Sequence, residues 1–185
     1  HHLSGEVAPG ALLAVVGPNG AGKSTLFKGI VGAIRPLSGH VDLSGLSPRD
    51  IAYLPQAAEI DRSFPISVYD LVAMGLWRKT GLFGGLSHDD RHAVEQALHA
   101  VGLVGFENRT LDTLSGGQMS RVLFARVMLQ DADIILLDEP FAAIDATSFP
   151  ASLPLRELLQ NDRPAVDRTR QRPCGQAPSA QNSGL

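Results

Sequence analysis

Cysteine is almost absent: Cys174 is the single thiol in 185 residues, and it lies in a Pro-rich stretch. That excludes a disulfide framework and a Cys-based zinc cluster, and it fits a reducing, cytoplasmic setting. Long hydrophobic runs are also lacking. No segment reaches the about eighteen consecutive apolar residues that a spanning helix needs, and no basic region at the start leads into a long apolar run. The chain therefore reads as soluble or peripheral to a membrane. Neither sign of charge dominates, since 16 Lys and Arg stand against 19 Asp and Glu for a net charge of -3. No sequence-wide basic field draws nucleic acid or anionic lipid. What is present is 44% hydrophobic residues, enough for one substantial core. His1 and His2 carry no assignable function, and there is no internal repeat and no heptad run.

Apolar Ala11 to Val16 ends at Gly17 and runs into a glycine loop, which predicts a buried strand and a tight turn. From Lys23, the residues Leu26, Phe27, Ile30, Val31 and Ile34 recur at helical spacing until Arg35-Pro36 stops them. Gly39 to Leu43 and Ile51 to Leu54 are two further strand candidates across the turn-rich Ser44 to Asp50, and they suggest a small β layer. Ser67 to Leu76 and Ser87 to Val101 predict helices, the second capped by Ser87 with Asp89 and Asp90 in its first turn. Thr80 to Gly85 connects them. Ser115 with Gln118 three residues on forms a capping box for another helix, and Asp133 to Leu137 reads as a second core strand. Beyond about Thr147, Pro150 and Pro154 interrupt the helical pattern, and Asn161 to Leu185 is polar and aperiodic, so a disordered tail is expected.

Gly17-Pro18-Asn19-Gly20-Ala21-Gly22-Lys23-Ser24, followed by Thr25, matches G-x-x-x-x-G-K-[ST] in full, after a predicted strand and at the start of a predicted helix. Such a loop turns backbone N–H groups toward a β-phosphate, the helix N-terminus adds its positive end, and Lys23 neutralises the β/γ oxygens. Ser24 is the expected Mg²⁺ ligand from this loop. A phosphate loop needs an acidic partner, and Asp138 supplies one at the end of the strand Ile134-Ile135-Leu136-Leu137. Glu139 follows directly and is the candidate general base that polarises the attacking water.

Leu114-Ser115-Gly116-Gly117-Gln118, about twenty residues ahead of Leu137-Asp138-Glu139-Pro140, resembles the signature motif of ABC ATPases. The resemblance implies a domain that binds Mg-ATP and pairs head-to-tail with a second such domain. Ser115, Gly116, Gly117 and Gln118 then complete the opposite subunit's site, with Ser115 and Gly117 at its γ-phosphate. Gln56, after Pro55, looks like the family's Q-loop glutamine, which contacts Mg²⁺ and water and relays toward membrane subunits. Ala143-Ile144-Asp145 resembles the D-loop. The catalytic candidates are thus Glu139, Gln56 and Lys23, and the metal candidates Ser24, Gln56 and Asp138.

The implied fold is α/β: a P-loop NTPase core with a small antiparallel β layer and an inserted helical subdomain, about 65–130, carrying the signature. The nucleotide-binding domain would span 1–147, and 148–185 an aberrant or disordered tail. Two family features are missing from the sequence: the N-terminal strand whose aromatic residue stacks on adenine, and the switch histidine, since none of the six histidines lies beyond His99. The loss of pattern after Thr147 suggests a truncated or frame-shifted C-terminus.

The segment from Gln56 to Gly75 is similar to ATPases of zinc and manganese importers, with iron-chelate importers close behind. That implies permease partners, a substrate-binding protein and a place on the cytoplasmic face of the membrane. His88, His92 and His99 share one helical face opposite Val94, Ala97, Leu98 and Val101, which makes it a solvated face. His88 and His99 lie about 16 Å apart along the axis, too far to share an ion, which leaves only His88 with His92 as a pair that could. Two other readings stand beside the transporter: a non-catalytic nucleotide-binding fragment lacking the switch histidine, and a soluble ABC ATPase of DNA repair. The second would place a long coiled coil between phosphate loop and signature, whereas the 92 residues between Gly22 and Ser115 hold no heptads.

Overall fold

The computed structural model describes residues 3–81 and 84–139. The D-loop candidate at 143–145 and the tail from 148 lie outside them. Five helices and two strands order the described chain: α1 (Lys23–Ile30), β1 (Ile51–Leu54), α2 (Val68–Ala73), α3 (Trp77–Thr80), α4 (His88–Ala100), α5 (Gly116–Leu129) and β2 (Ile134–Leu137). β1 and β2 pair in parallel, with Ile51 opposite Ile134 and Leu54 opposite Leu137. Two parallel strands need a crossover. Here the crossover contains α2 to α5, so the helical part is inserted between the strands that form the sheet.

Serine caps explain where the helices begin. Ser67, Ser87 and Ser115 each hold extended backbone and accept a hydrogen bond from the amide three residues on, at Asp70, Asp90 and Gln118. At α4 the Asp90 carboxylate accepts in return from the Ser87 amide, and Lys79 of α3 donates to the same carboxylate at 2.6 Å. The Lys79 bond first, and then those from Ser87, hold the Asp90 carboxyl down at about 2. Asp90 is thus a buried charge with its partners in place, joining two helices at their ends. Arg78 does the same between α3 and the start of β1, pairing with Asp50 at 2.6 Å and donating to the Asp131 carbonyl.

The core lies among α2, α4 and α5. α2 contributes Val68 and Val72, α4 Val94 and Leu98, and α5 Met119, Val122, Leu123 and Val127, all fully or almost fully buried. Leu103, Leu111 and Leu114 from the connecting turns close it. The turns after α4 are anchored by backbone bonds from Val68 to Arg109 and from Tyr69 to Glu107. α5 also packs on β1, so one helix carries both the helical core and the cover of the sheet. His88, His92 and His99 are exposed on α4, opposite this core.

The α/β class with an inserted helical unit agrees with the sequence reading, but three local expectations differ. Ala11–Val16 and Gly39–Leu43 form no strand, and the described residues contain no antiparallel β layer; the one antiparallel contact is an isolated bridge between Ser67 and Thr110. A strand is held by its neighbours' backbone, and these segments have no ladder partner among the described residues: Leu12 is 79% exposed and Val16 88%. The third difference is the end of α1, expected at Arg35-Pro36. Gly32 takes φ 75, and the amides of Ala33 and Ile34 fold back onto the Lys28 carbonyl, closing the helix at Ile30 before proline is reached.

Gly75 follows α2 where the chain meets α5. A side chain there would collide with the Arg126 backbone carbonyl and come within 2.9 Å of Leu129 Cβ. Gly75→Val should therefore lower stability by about 1–3 kcal/mol, read from the urea unfolding midpoint. An unchanged midpoint would contradict the close packing of these helices.

Candidate functional site

Backbone conformation builds the phosphate loop. Gly20 and Gly22 adopt φ 79 and φ 91, where a side chain is strained even though a Cβ would meet nothing within 4 Å. The glycines are therefore required by torsion, not by crowding. Gly22 is also the N-cap of α1 and offers no capping side chain, which leaves the first-turn N–H groups of Lys23, Ser24 and Thr25 open to an anion. The Ala21 amide bonds the Pro18 carbonyl, and Lys23 Nζ donates to the carbonyls of Gly17 at 2.9 Å and Pro18 at 3.0 Å. The ammonium is thus held over the loop that it would serve.

The second half of the site grows from the strand pair. The Asp138 amide donates to the Leu54 carbonyl at 2.9 Å, so the parallel ladder runs one residue past β2 and draws Asp138 inward to 3% exposure. Gln56 lies two residues past the end of β1 and opens the turn Ala57–Glu59. Asp138 and Gln56 therefore share the C-terminal edge of the parallel pair, where ligands bind in open α/β sheets. Glu139 is exposed beside Asp138 with φ 50, an uncommon conformation for a residue with a side chain.

Three contacts at this edge escaped the sequence reading. Tyr53 of β1 donates its hydroxyl to Asp138 Oδ2 at 3.3 Å. Burial first, and then the negative charges of Asp138 and Glu59, push this phenol up to about 12, so it remains a neutral donor. Lys28 of α1 pairs with Glu59 at 2.8 Å, tying the helix after the phosphate loop to the turn that Gln56 opens. Arg62 donates to the Leu114 carbonyl at 2.9 Å, fastening the segment after Gln56 to the loop ahead of Ser115. A tyrosine in an otherwise apolar strand was the one available signal; the other two pairs carry none.

Ser115 and Gln118 form the reciprocal capping box expected of them, while Gly116 and Gly117 are the first residues of α5. Among the described residues, no hydrogen bond or ion pair joins 17–25 to Asp138, Glu139 or 115–118. The structure brings Gln56 and Asp138 to one edge, links α1 to that edge through Lys28, and ties the loop ahead of α5 to the segment after Gln56 through Arg62. The oxygen donors Ser24, Gln56 and Asp138 suit a hard cation such as Mg²⁺, and a bare helix N-terminus behind left-handed glycines suits phosphate.

A glycine loop opening a helix, with a buried carboxylate at the C-terminal edge of a parallel strand pair, defines a P-loop nucleotide-binding domain of the α/β class. Residues 1–142 match the protein family described as ABC transporter, and the chain belongs to that family. A manganese transport system ATP-binding protein of Synechocystis is 41% identical over 84% of this chain. A Chlamydia pneumoniae protein described as a metal transport system ATP-binding protein is 42% identical over 87%. The chain spans 62% and 64% of those relatives' own lengths, somewhat less than two thirds. Among solved structures, a dimeric ATP-binding cassette in a post-hydrolysis state bound to ADP and Pi is similar with a TM-score of 0.64 and 26% identity. That likeness covers 77% of this chain and 66% of the other.

Ser115→Ala removes one arm of the α5 capping box and should cost about 0.5–2 kcal/mol of stability. Chemical denaturation reads it; a variant as stable as the parent would mean that the box does not hold the start of α5.

Proposed function

We propose that this chain is the ATP-binding and ATP-hydrolysing subunit of a transporter that carries a metal ion, manganese or zinc, into the cell. The observation that carries the reading is the pairing of a complete phosphate loop, its glycines left-handed and its lysine in place, with a buried Asp138 at the sheet edge. Family membership supports the ATPase, and the names of the Synechocystis and Chlamydia relatives support a metal as cargo.

In this reading residues 1–147 are the nucleotide-binding domain, with about 65–130 as its helical unit. The amides from Gly20 to Thr25 bind the phosphates, and Lys23 leaves the Gly17 and Pro18 carbonyls for the β/γ oxygens. Ser24, Gln56 and Asp138 hold Mg²⁺, which when bound offsets the charge on the transferring phosphoryl group. Glu139 takes a proton from the attacking water. Ser115 to Gln118 present a capped helix N-terminus to the nucleotide of a second copy, and the dimeric cassette holding ADP and Pi supports that arrangement. No helix among the described residues is long and apolar enough to cross a membrane. Permease subunits at the cytoplasmic face would provide the path, and a substrate-binding protein the cargo.

The test is Mg-ATP binding and steady-state hydrolysis by the 185-residue chain. Lys23→Ala should lose both, whereas Glu139→Gln should keep binding and lose turnover by about a hundred-fold or more. Binding without turnover in the parent would remove the hydrolytic role, and a folded chain without ATP affinity would remove the reading altogether.

A further inference from the structure

A carboxylate that is 3% exposed needs partners, because burying an unpaired charge is costly. The backbone of Asp138 is fixed by its bond to Leu54, but a backbone bond leaves the side-chain torsions free. Tyr53 stands in β1 opposite Leu136, between fully buried Ala52 and nearly buried Leu54, so the register fixes where its ring begins. From there the hydroxyl reaches Asp138 Oδ2, 85 residues away in sequence. Among the described residues no other side chain hydrogen-bonds this carboxylate, and Oδ1 accepts none.

We propose that Tyr53 is a positioning residue for Asp138: its hydroxyl holds Oδ2 and leaves Oδ1 as the oxygen available to the divalent cation that accompanies a bound nucleotide. The chemistry of the partner matters. A lysine or arginine in this place would orient the carboxylate equally well but would cancel the charge that a cation needs. A phenol orients it and leaves its charge whole. Partners of this kind, one bond removed from the metal, commonly set affinity by fixing the ligand's direction. The inference rests on the nucleotide-binding reading above.

ATP affinity of the 185-residue chain, measured by calorimetry with graded Mg²⁺ and with EDTA, tests it in the parent, Tyr53→Phe, Asp138→Asn and the double variant. Tyr53→Phe should weaken the Mg²⁺ dependence about ten-fold and leave metal-free ATP affinity unchanged. In the Asp138→Asn background it should have no further effect on Mg²⁺ dependence. Equal Mg²⁺ dependence in parent and Tyr53→Phe would overturn the role of Tyr53 alone, as would the same loss without Asp138. Equal weakening in EDTA would make Tyr53 a packing residue and overturn it likewise. A folded parent that binds no ATP under either condition would overturn the nucleotide reading and this inference together.

Discussion

The hydrogen bond from the Asp138 amide to the Leu54 carbonyl is the contact on which the candidate site depends. It continues the β1–β2 ladder one residue past the last paired position and holds a carboxylate at the strand ends. Without it, Asp138 would be an ordinary charged residue after an apolar strand. With it, Asp138 is buried, Tyr53 can reach it, and Gln56 shares its edge. The ladder itself depends on α5, which packs against β1 and leads the chain into β2.

That makes α5 the mechanical centre of the described fold. Its middle is buried through Met119, Val122, Leu123 and Val127, its N-terminus carries the capping box at Ser115, and its C-terminal end precedes the strand that ends in Asp138. Loop and carboxylate are thus two ends of one rigid element and the strand after it. Arg62, bonded to the Leu114 carbonyl, adds a direct strut from the Gln56 side. Lys28 and Glu59 join α1 to the same side. α1 buries no side chain among the described residues, and this partly exposed ion pair joins the helix after the phosphate loop to the turn that Gln56 opens.

The parts legible in the sequence were those in which chemistry demands fixed residue types at fixed spacing. Gly20, Gly22 and Lys23 are such a case, as are Ser115 with Gln118, and Asp138 at the end of four apolar residues. The helix starts at Ser67, Ser87 and Ser115 were legible because a capping side chain acts within three residues. Strands at Ala11–Val16 and Gly39–Leu43 were not, because apolar runs state only a tendency and a strand exists through its partner. The end of α1 was misplaced because Gly32, in left-handed backbone, acts before Pro36. Tyr53 with Asp138, Lys28 with Glu59 and Arg62 with Leu114 are separated by 85, 31 and 52 residues, and only the three-dimensional register joins them.

In the nucleotide-binding reading proposed above, residues 17–25 and the edge formed by Gln56 and Asp138 receive one nucleotide. Amide hydrogen exchange of the chain, with and without Mg-ATP, tests it most directly. Amides of 51–54 and 134–138 should exchange slowly in both conditions, and those of 20–25 should become protected when Mg-ATP is added. Protection that appears elsewhere while 20–25 exchange as before would contradict it.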